Sequence, residues 1–212
     1  MNFLNNYSEF YSKSISIFTL ENYRPKKKCI FLDRDGVIIE DTNYINLPEK
    51  VKLTKNLILF LEIAKLNNFD IVIVTNQSSI SRGIISYKDY KKITNRILSY
   101  IPIKLHPNLI LTSFHLPNNQ SNLENFNWRK PGEGMFNYAL TTNNYDVSRS
   151  IMIGDKISDL IPASSCGLSK LIYIPSDLHQ NQLNNITAWN SEGNQPIKII
   201  KDLDPKEVFN YL

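Results

Sequence analysis

Five short apolar runs do most to limit what this chain can fold into: CIFL at 29–32, IVIV at 71–74, LIL at 109–111, IMI at 151–153 and LIYI at 171–174. None alternates between apolar and polar residues, which is how strands read when both faces of a sheet are covered. Between the runs the spacing turns helical. Leu57, Leu61, Ala64 and Lys65 follow a helical period within 54–67, with Thr54 as the expected N-cap. Residues 86–100 open on Ser86 with Asp89 three positions later, an acidic variant of a capping box. Helices are also expected over 132–143 and 157–166, the second stopped by Gly167. Strand and helix in alternation predict a doubly wound α/β domain, a parallel sheet with helices on both faces. The connections are too short to hold a large cap domain. One long irregular loop, 116–127, has a length that tends to be functional. After a polar linker at 179–196 come a further strand at 197–200 and a helix at 205–212.

The first 25 residues stand outside that rhythm, polar and aromatic without a period, and end at Pro25. They are expected to form an N-terminal extension (1–25) that wraps or caps a domain spanning 26–212. The Lys26-Lys27-Lys28 run reads as the solvated entrance to the first strand, not as a nucleic-acid patch. With 212 residues and 42% hydrophobic content the chain can bury one good core. Its formal net charge of +4 suits an anionic substrate without singling out nucleic acid. Cys29 and Cys166 are too few for a disulfide framework, so a reducing cytoplasm is the expected setting. No basic region followed by a long apolar stretch opens the chain, so neither a signal peptide nor a membrane partner is expected. A monomer or a weak homo-oligomer is expected.

In such sheets ligands bind beyond the carboxyl ends of the strands. The polar residues directly after each run therefore carry the candidate chemistry. Asp33-Arg34-Asp35-Gly36 follow the first run, Thr75-Asn76-Gln77-Ser78 the second, and Gly154-Asp155-Lys156 with Asp159 the fourth. Arg129-Lys130-Pro131 close the long loop. Charged groups at the ends of buried strands cost desolvation energy unless paired or bound to a cation. Asp33, Asp35 and Asp155 converging with Lys130 on one edge predict a hard-cation site that faces a phosphate.

These motifs, in this order, resemble the haloacid dehalogenase (HAD) superfamily: FLDRDGVI, IVTNQSS, RKPGEGM and IGDKISD. The match spans about residues 29–174. The resemblance implies a Rossmann-like fold and a Mg²⁺-dependent phosphatase. Asp33 is then the nucleophile that forms an aspartyl-phosphate. Asp35 protonates the leaving alkoxide and later takes a proton from water. Mg²⁺ is expected between Asp33, Asp155 and the main-chain carbonyl of Asp35. Thr75 is expected to donate its hydroxyl to the phosphoryl oxygens, and Lys130 to neutralise charge there. Gly36 is expected to let the backbone turn closely past the phosphate. Asp159, one helical turn beyond Asp155, is expected to brace Lys130 or a metal-bound water.

Within the superfamily, Arg34 inside DRDG, the TNQSSISRG turn, the RKP triplet and Asp41-Thr42-Asn43-Tyr44-Ile45 resemble one branch. It holds the D-glycero-D-manno-heptose 1,7-bisphosphate and histidinol-phosphate phosphatases, and the heptose side is the more similar. That similarity implies a small phosphorylated sugar as partner, cleaved at its 7-phosphate. It makes Asn76, Gln77, Arg82 and Arg129 substrate contacts, the guanidinium groups suited to a second phosphate. Histidinol phosphate and a nucleic-acid 3′-phosphate are the alternative substrates. Enzymes acting on the latter share the RKP triplet but usually carry an apolar residue in place of Arg34. Members of the heptose branch commonly hold zinc in the long loop on three cysteines and a histidine. Here His115 remains, while Ser113, Phe126 and Trp128 stand at the expected cysteine positions. One histidine cannot make a tetrahedral site, so no zinc is expected. Packing of Phe114, Phe126 and Trp128 is expected to hold the loop instead.

Overall fold

The computed structural model describes residues 2–12, 14–19, 27–117 and 127–212. The apolar runs become the middle of one eight-stranded sheet. Its strands are β1 (Ser8–Tyr11), β2 (Ile15–Thr19), β3 (Lys28–Leu32), β4 (Phe69–Asn76), β5 (Leu109–Ser113), β6 (Ile151–Gly154), β7 (Lys170–Tyr173) and β8 (Ile197–Ile199). In space they lie in the order β1-β2-β5-β4-β3-β6-β7-β8. From β5 across to β8 every neighbouring pair is parallel. The chain runs outward from β3 to β5, then crosses back to lay β6 on the other side of β3. The order reverses at β3. A doubly wound sheet opens a crevice at such a reversal, beyond the carboxyl end of the strand.

Helices α1 (Leu57–Leu66), α2 (Tyr87–Ser99) and α6 (Pro205–Tyr211) cover one face, and α3 (Gly134–Thr142), α4 (Ile157–Ser165) and α5 (Gln182–Ser191) the other. The strands feed both layers by simple alternation. Ile30 and Leu32 of β3 join Phe60 of α1 and Ile93 of α2 in one core. Cys29 and Phe31 join Leu160 of α4 and Phe136 of α3 in the other, with Phe31 and Phe136 rings 5.1 Å apart. That double burial explains the unbroken apolar runs. The lysine run also stands where the sequence puts it: Lys27 pairs with Asp70 at 2.9 Å and Lys28 lies 4.1 Å from the Phe69 ring centre. Lys26 lies outside the described residues. Among them no helix is long and apolar enough to cross a membrane.

Three local expectations change. Residues 8–11 and 15–19 neither wrap nor cap the domain; they extend the sheet, β2 running antiparallel to β5 and β1 antiparallel to β2. The sheet is therefore mixed, with a parallel centre. Ile17 and Phe18 point into opposite cores; two anchoring side chains in a polar stretch are too few to show a period. The linker at 179–196 contains α5, of which only Ile186 is buried, so no apolar stripe marks it. Helix α1 starts after Asn56, at φ 64°, and the Thr54 hydroxyl donates to the Val37 carbonyl instead of capping it. The Ser86–Asp89 capping box of α2 and the left-handed Gly167 after α4 form as expected.

Phe18 is fully buried against the sheet, so the hairpin is part of the core. Phe18→Ala is expected to destabilise the protein by about 3–5 kcal/mol, read as a fall in the urea midpoint. A loss below about 1 kcal/mol would show that the edge strands hang on the domain without supporting it.

Candidate active site

The parallel register builds the site. Leu32 is level with Ile73 on one side and Ile153 on the other. Asp33, Thr75 and Asp155 therefore leave three adjacent strands together, at the point where the strand order reverses. A cavity of about 430 Å³ opens there, and Asp33, Asp35, Thr75, Lys130 and Asp159 all line it.

Lys130 comes from the loop end before α3 and is 3% exposed. Its Nζ donates to Asp33 Oδ1 at 2.6 Å and the Val74 carbonyl at 2.8 Å, and pairs with Asp159 Oδ1 at 2.8 Å. An ammonium has three protons, and all three are placed. Burial alone would lower the lysine pKa, but Asp159 and Asp33 raise it above the ordinary value. Asp159 thus braces Lys130, and its other oxygen accepts the Lys156 amide at 3.1 Å. Asn76 holds the same lysine by its backbone: its Nδ2 donates to the Lys130 carbonyl at 2.9 Å and its Oδ1 accepts the Lys130 amide at 3.1 Å.

The other carboxylates are not equally satisfied. Asp155 is fully buried, and neither of its oxygens accepts a hydrogen bond among the described residues. The Lys156 ammonium lies 3.3 Å from Oδ1, an ion-pair distance outside hydrogen-bond geometry. Burial, then Asp159 and Asp33, push Asp155 up to about 8. Burial also raises Asp33 to about 6, in spite of Lys130. Asp33, Asp155 and Asp159 each offer an oxygen within 4.8 Å of the others. Two buried Asp155 oxygens without a donor, crowded by the Asp33 carboxylate, fit a hard divalent cation. The backbone passes close to them: a Cβ on Gly36, at φ 90°, would stand 2.5 Å from Asp155 Oδ2. The close neighbour of Gly36 is therefore the Asp155 carboxylate. A second group, Asp41, Asp155 and His179, also lies within 4.8 Å, but the Lys156 ammonium already stands 3.3 Å from Asp155 and 3.8 Å from Asp41.

Asp35 has the opposite environment. Arg34, itself buried, binds both its oxygens, with Nη2 at 2.8 and 2.9 Å. Gln77 accepts from Arg34 Nη2 at 2.8 Å and donates to Asp35 Oδ2 at 2.6 Å and to the Thr75 hydroxyl oxygen at 2.9 Å. Burial would raise the Asp35 carboxyl, but Arg34 and Gln77 hold it below the usual range. Asn76 and Gln77, read from the sequence as substrate contacts, thus use their amides on Lys130, Asp35 and Thr75. The Thr75 hydroxyl accepts from Gln77, which leaves its own proton for a ligand.

Arg129 lines the cavity, with Nη1 on the His115 carbonyl at 2.8 Å. Its pKa is lowered by burial and then by the Arg82 guanidinium nearby. Arg82 is exposed beyond the cavity lining and has no ion-pair partner among the described residues. Phe114 and Trp128 do not pack together. Phe114 meets Tyr87 and Tyr90 edge-to-face in one core, while Trp128 packs on Tyr138 in the other and donates its indole N–H to the Thr112 carbonyl at 3.0 Å. Phe126 lies outside the described residues. Sequence reasoning gave no individual role to the wall residues Asp41, Tyr44, Lys156 and His179; the first three stand in quoted motifs, and only His179 lies outside them.

Fold and floor together define a phosphatase of the HAD type. The family described as polynucleotide kinase 3 phosphatase matches residues 28–165, and the chain belongs to this family of HAD-like phosphatases. A D-glycero-alpha-D-manno-heptose-1,7-bisphosphate 7-phosphatase of Photorhabdus laumondii is 32% identical over 154 residues, 70% of this chain and 83% of its own. A D-glycero-beta-D-manno-heptose-1,7-bisphosphate 7-phosphatase of Helicobacter pylori strain J99 is 32% identical over 164 residues, 76% of this chain and 89% of its own. Among solved structures, the D,D-heptose 1,7-bisphosphate phosphatase from B. bronchiseptica, complexed with magnesium and phosphate, superposes with a TM-score of 0.71 at 20% identity, covering 87% of this chain and 99% of that one. The protein is a phosphoric monoester hydrolase.

The raised Asp155 carboxyl makes a signed prediction. Between about pH 7 and pH 8 the folded, cation-free protein keeps a proton that the unfolded chain has released, so stability falls as pH rises. Buried His106 and half-buried His115 have lowered pKa values and are already neutral in that window. Melting in EDTA should drop from pH 7 to pH 8 in the wild type, less so in Asp155→Asn, and a divalent cation should abolish the drop. A wild type whose melting temperature rises over that interval contradicts this account of the site.

Proposed function

We propose that the protein removes the 7-phosphate of a D-glycero-D-manno-heptose 1,7-bisphosphate through an aspartyl-phosphate on Asp33. The observation that carries the chemistry is Asp33 itself: buried at the cavity floor, ion-paired to Lys130, beside an Asp155 with no hydrogen-bond donor. An Asp33 oxygen attacks phosphorus and the bond to the sugar oxygen breaks. That oxygen takes its proton from Asp35. Water then attacks the phosphorus, Asp35 accepts the proton, and inorganic phosphate leaves a restored Asp33. Before substrate arrives, Arg34 and Gln77 keep Asp35 ionised; an entering phosphate dianion competes for Arg34 and favours a proton on Asp35. Thr75 donates to the phosphoryl oxygens, and Lys130 neutralises charge that develops there. Mg²⁺, held by Asp33, Asp155 and the main-chain carbonyl of Asp35, would supply charge neutralisation to the phosphoryl group and keep Asp33 ionised against its burial.

The names of the relatives favour the heptose bisphosphate. So does the rim: Arg129 and Arg82 set two like charges near one another, an arrangement that a second phosphate relieves. A second reading, hydrolysis of a nucleic-acid 3′-phosphate, is favoured by the description of the matching family. Walls that include the Asp41 carboxylate suit a polyhydroxylated leaving group better than a polyanionic strand. Ser113 and Trp128, where a loop zinc site would need thiolates, support an enzyme without zinc.

Phosphate release from a panel of heptose 1,7-bisphosphates, histidinol phosphate and a 3′-phosphorylated oligonucleotide tests the assignment. The bisphosphate is expected to lead. Arg82→Ala should cut its kcat/KM on the order of a hundredfold, the loss of a charged hydrogen bond, and spare an aryl monophosphate. Preference for the oligonucleotide would establish the second reading. Asp33→Asn should abolish turnover and keep the fold. In metal analysis of chelator-free preparations, activity should depend on added Mg²⁺, with no stoichiometric zinc; one zinc per chain would refute the zinc-free loop.

A further inference from the structure

The cavity wall holds one histidine that the scheme above does not use. His179 comes from the turn after β7, far from the motifs that carry the resemblance. Its Nε2 donates to Asp41 Oδ2 at 3.0 Å, across 138 positions of sequence. The other Asp41 oxygen accepts the Asn43 amide at 2.9 Å, and the Lys156 ammonium lies 3.8 Å from Oδ2. The next residues are conformationally unusual: Asn43 and Tyr44 hold φ of 66° and 102°. Non-glycine residues rarely adopt such angles, and they persist only where surrounding contacts fix them. Asp41 is that contact. One of its oxygens secures the Asn43 amide, and His179 secures the other. Asn43, Tyr44 and Ile45 line the cavity alongside Asp41 and His179.

We propose that His179 is a specificity-determining residue, pinning Asp41 so that the 41–45 loop forms the wall that reads a hydroxylated leaving group. For its substrate class this role rests on the sugar-phosphate reading above. A carboxylate on the wall repels a phosphate but accepts from hydroxyls. The imidazole Nδ1, without a protein partner among the described residues, offers a second polar group to the same hydroxyls. A histidine–carboxylate pair at a solvated surface contributes little. This one differs: the Asp41 side chain is 11% exposed, bonded through both oxygens, and set in the wall of the cavity.

The test compares wild type, His179→Ala and His179→Gln by steady-state kinetics on the heptose bisphosphate and an aryl phosphate. Amide hydrogen exchange over 41–45 is measured on the substrate-free proteins. In His179→Ala, KM for the sugar should rise about tenfold with kcat within about twofold, and selectivity for sugar over aryl phosphate should fall about tenfold. Exchange at the Asn43 amide should quicken by about tenfold or more. His179→Gln, whose amide can donate to Asp41, should recover most of both. Equal losses on the two substrates, or unaltered exchange at Asn43, overturn the proposal. A wild type that hydrolyses no sugar phosphate better than the aryl compound removes the substrate assignment alone, and exchange at Asn43 then decides whether His179 is the pin.

Discussion

The ammonium of Lys130, held by Asp33, Asp159 and the Val74 carbonyl, is the contact on which the rest of the site depends. Removing one partner from a buried ion pair leaves an uncompensated charge and costs about 3–5 kcal/mol. Every element that supplies a partner is therefore tied to the others. Asp33 fixes the end of β3, Val74 the end of β4, Asp159 the first turn of α4, and Asn76 anchors the backbone that brings the lysine in. The chain at Lys130 is fastened to the carboxyl edge of the sheet by one side chain and one amide.

Around that contact the protein sorts its carboxylates by surroundings. Asp35 has a guanidinium and an amide on it and stays ionised. Asp33 and Asp155 have more burial than compensation, and both are raised. Identical side chains gathered at one strand edge thus receive different protonation tendencies from their neighbours alone. The unequal treatment also explains why Arg34 is buried against Asp35: without it, Asp35 would lack a cation to offset its burial.

The floor of the cavity was legible in the sequence because a parallel sheet converts strand ends into a shared edge. Once 29–32, 71–74 and 151–153 are strands, Asp33, Thr75 and Asp155 must meet. The supporting layer was less legible. Asn76 and Gln77 sit in a motif that speaks of substrate, yet their amides serve Lys130, Asp35 and Thr75, because pairing with neighbours depends on side-chain direction and not on position in a string. The β1–β2 hairpin escaped notice because Ile17 and Phe18 insert into separate cores, and α5 because a helix with one buried residue has no stripe. His179 and Asp41 meet from loops 138 positions apart, a closure that only the finished sheet provides.

Asp159 gives its two oxygens to two different tasks, one to the Lys130 ammonium and one to the Lys156 amide at the start of α4. Gly154 makes the arrangement possible, since a Cβ there would stand 2.6 Å from the Asp159 Cβ. The helix and the lysine are consequently coupled in their motion: α4 cannot unwind its first turn, slide or tilt without dragging the carboxylate that steadies the ammonium. Fraying of a helix end, ordinarily a harmless surface fluctuation, is here transmitted through Lys130 to the Asp33 carboxylate. Selection on α4 would then act on stiffness as well as on packing, through a carboxylate that need never touch the substrate.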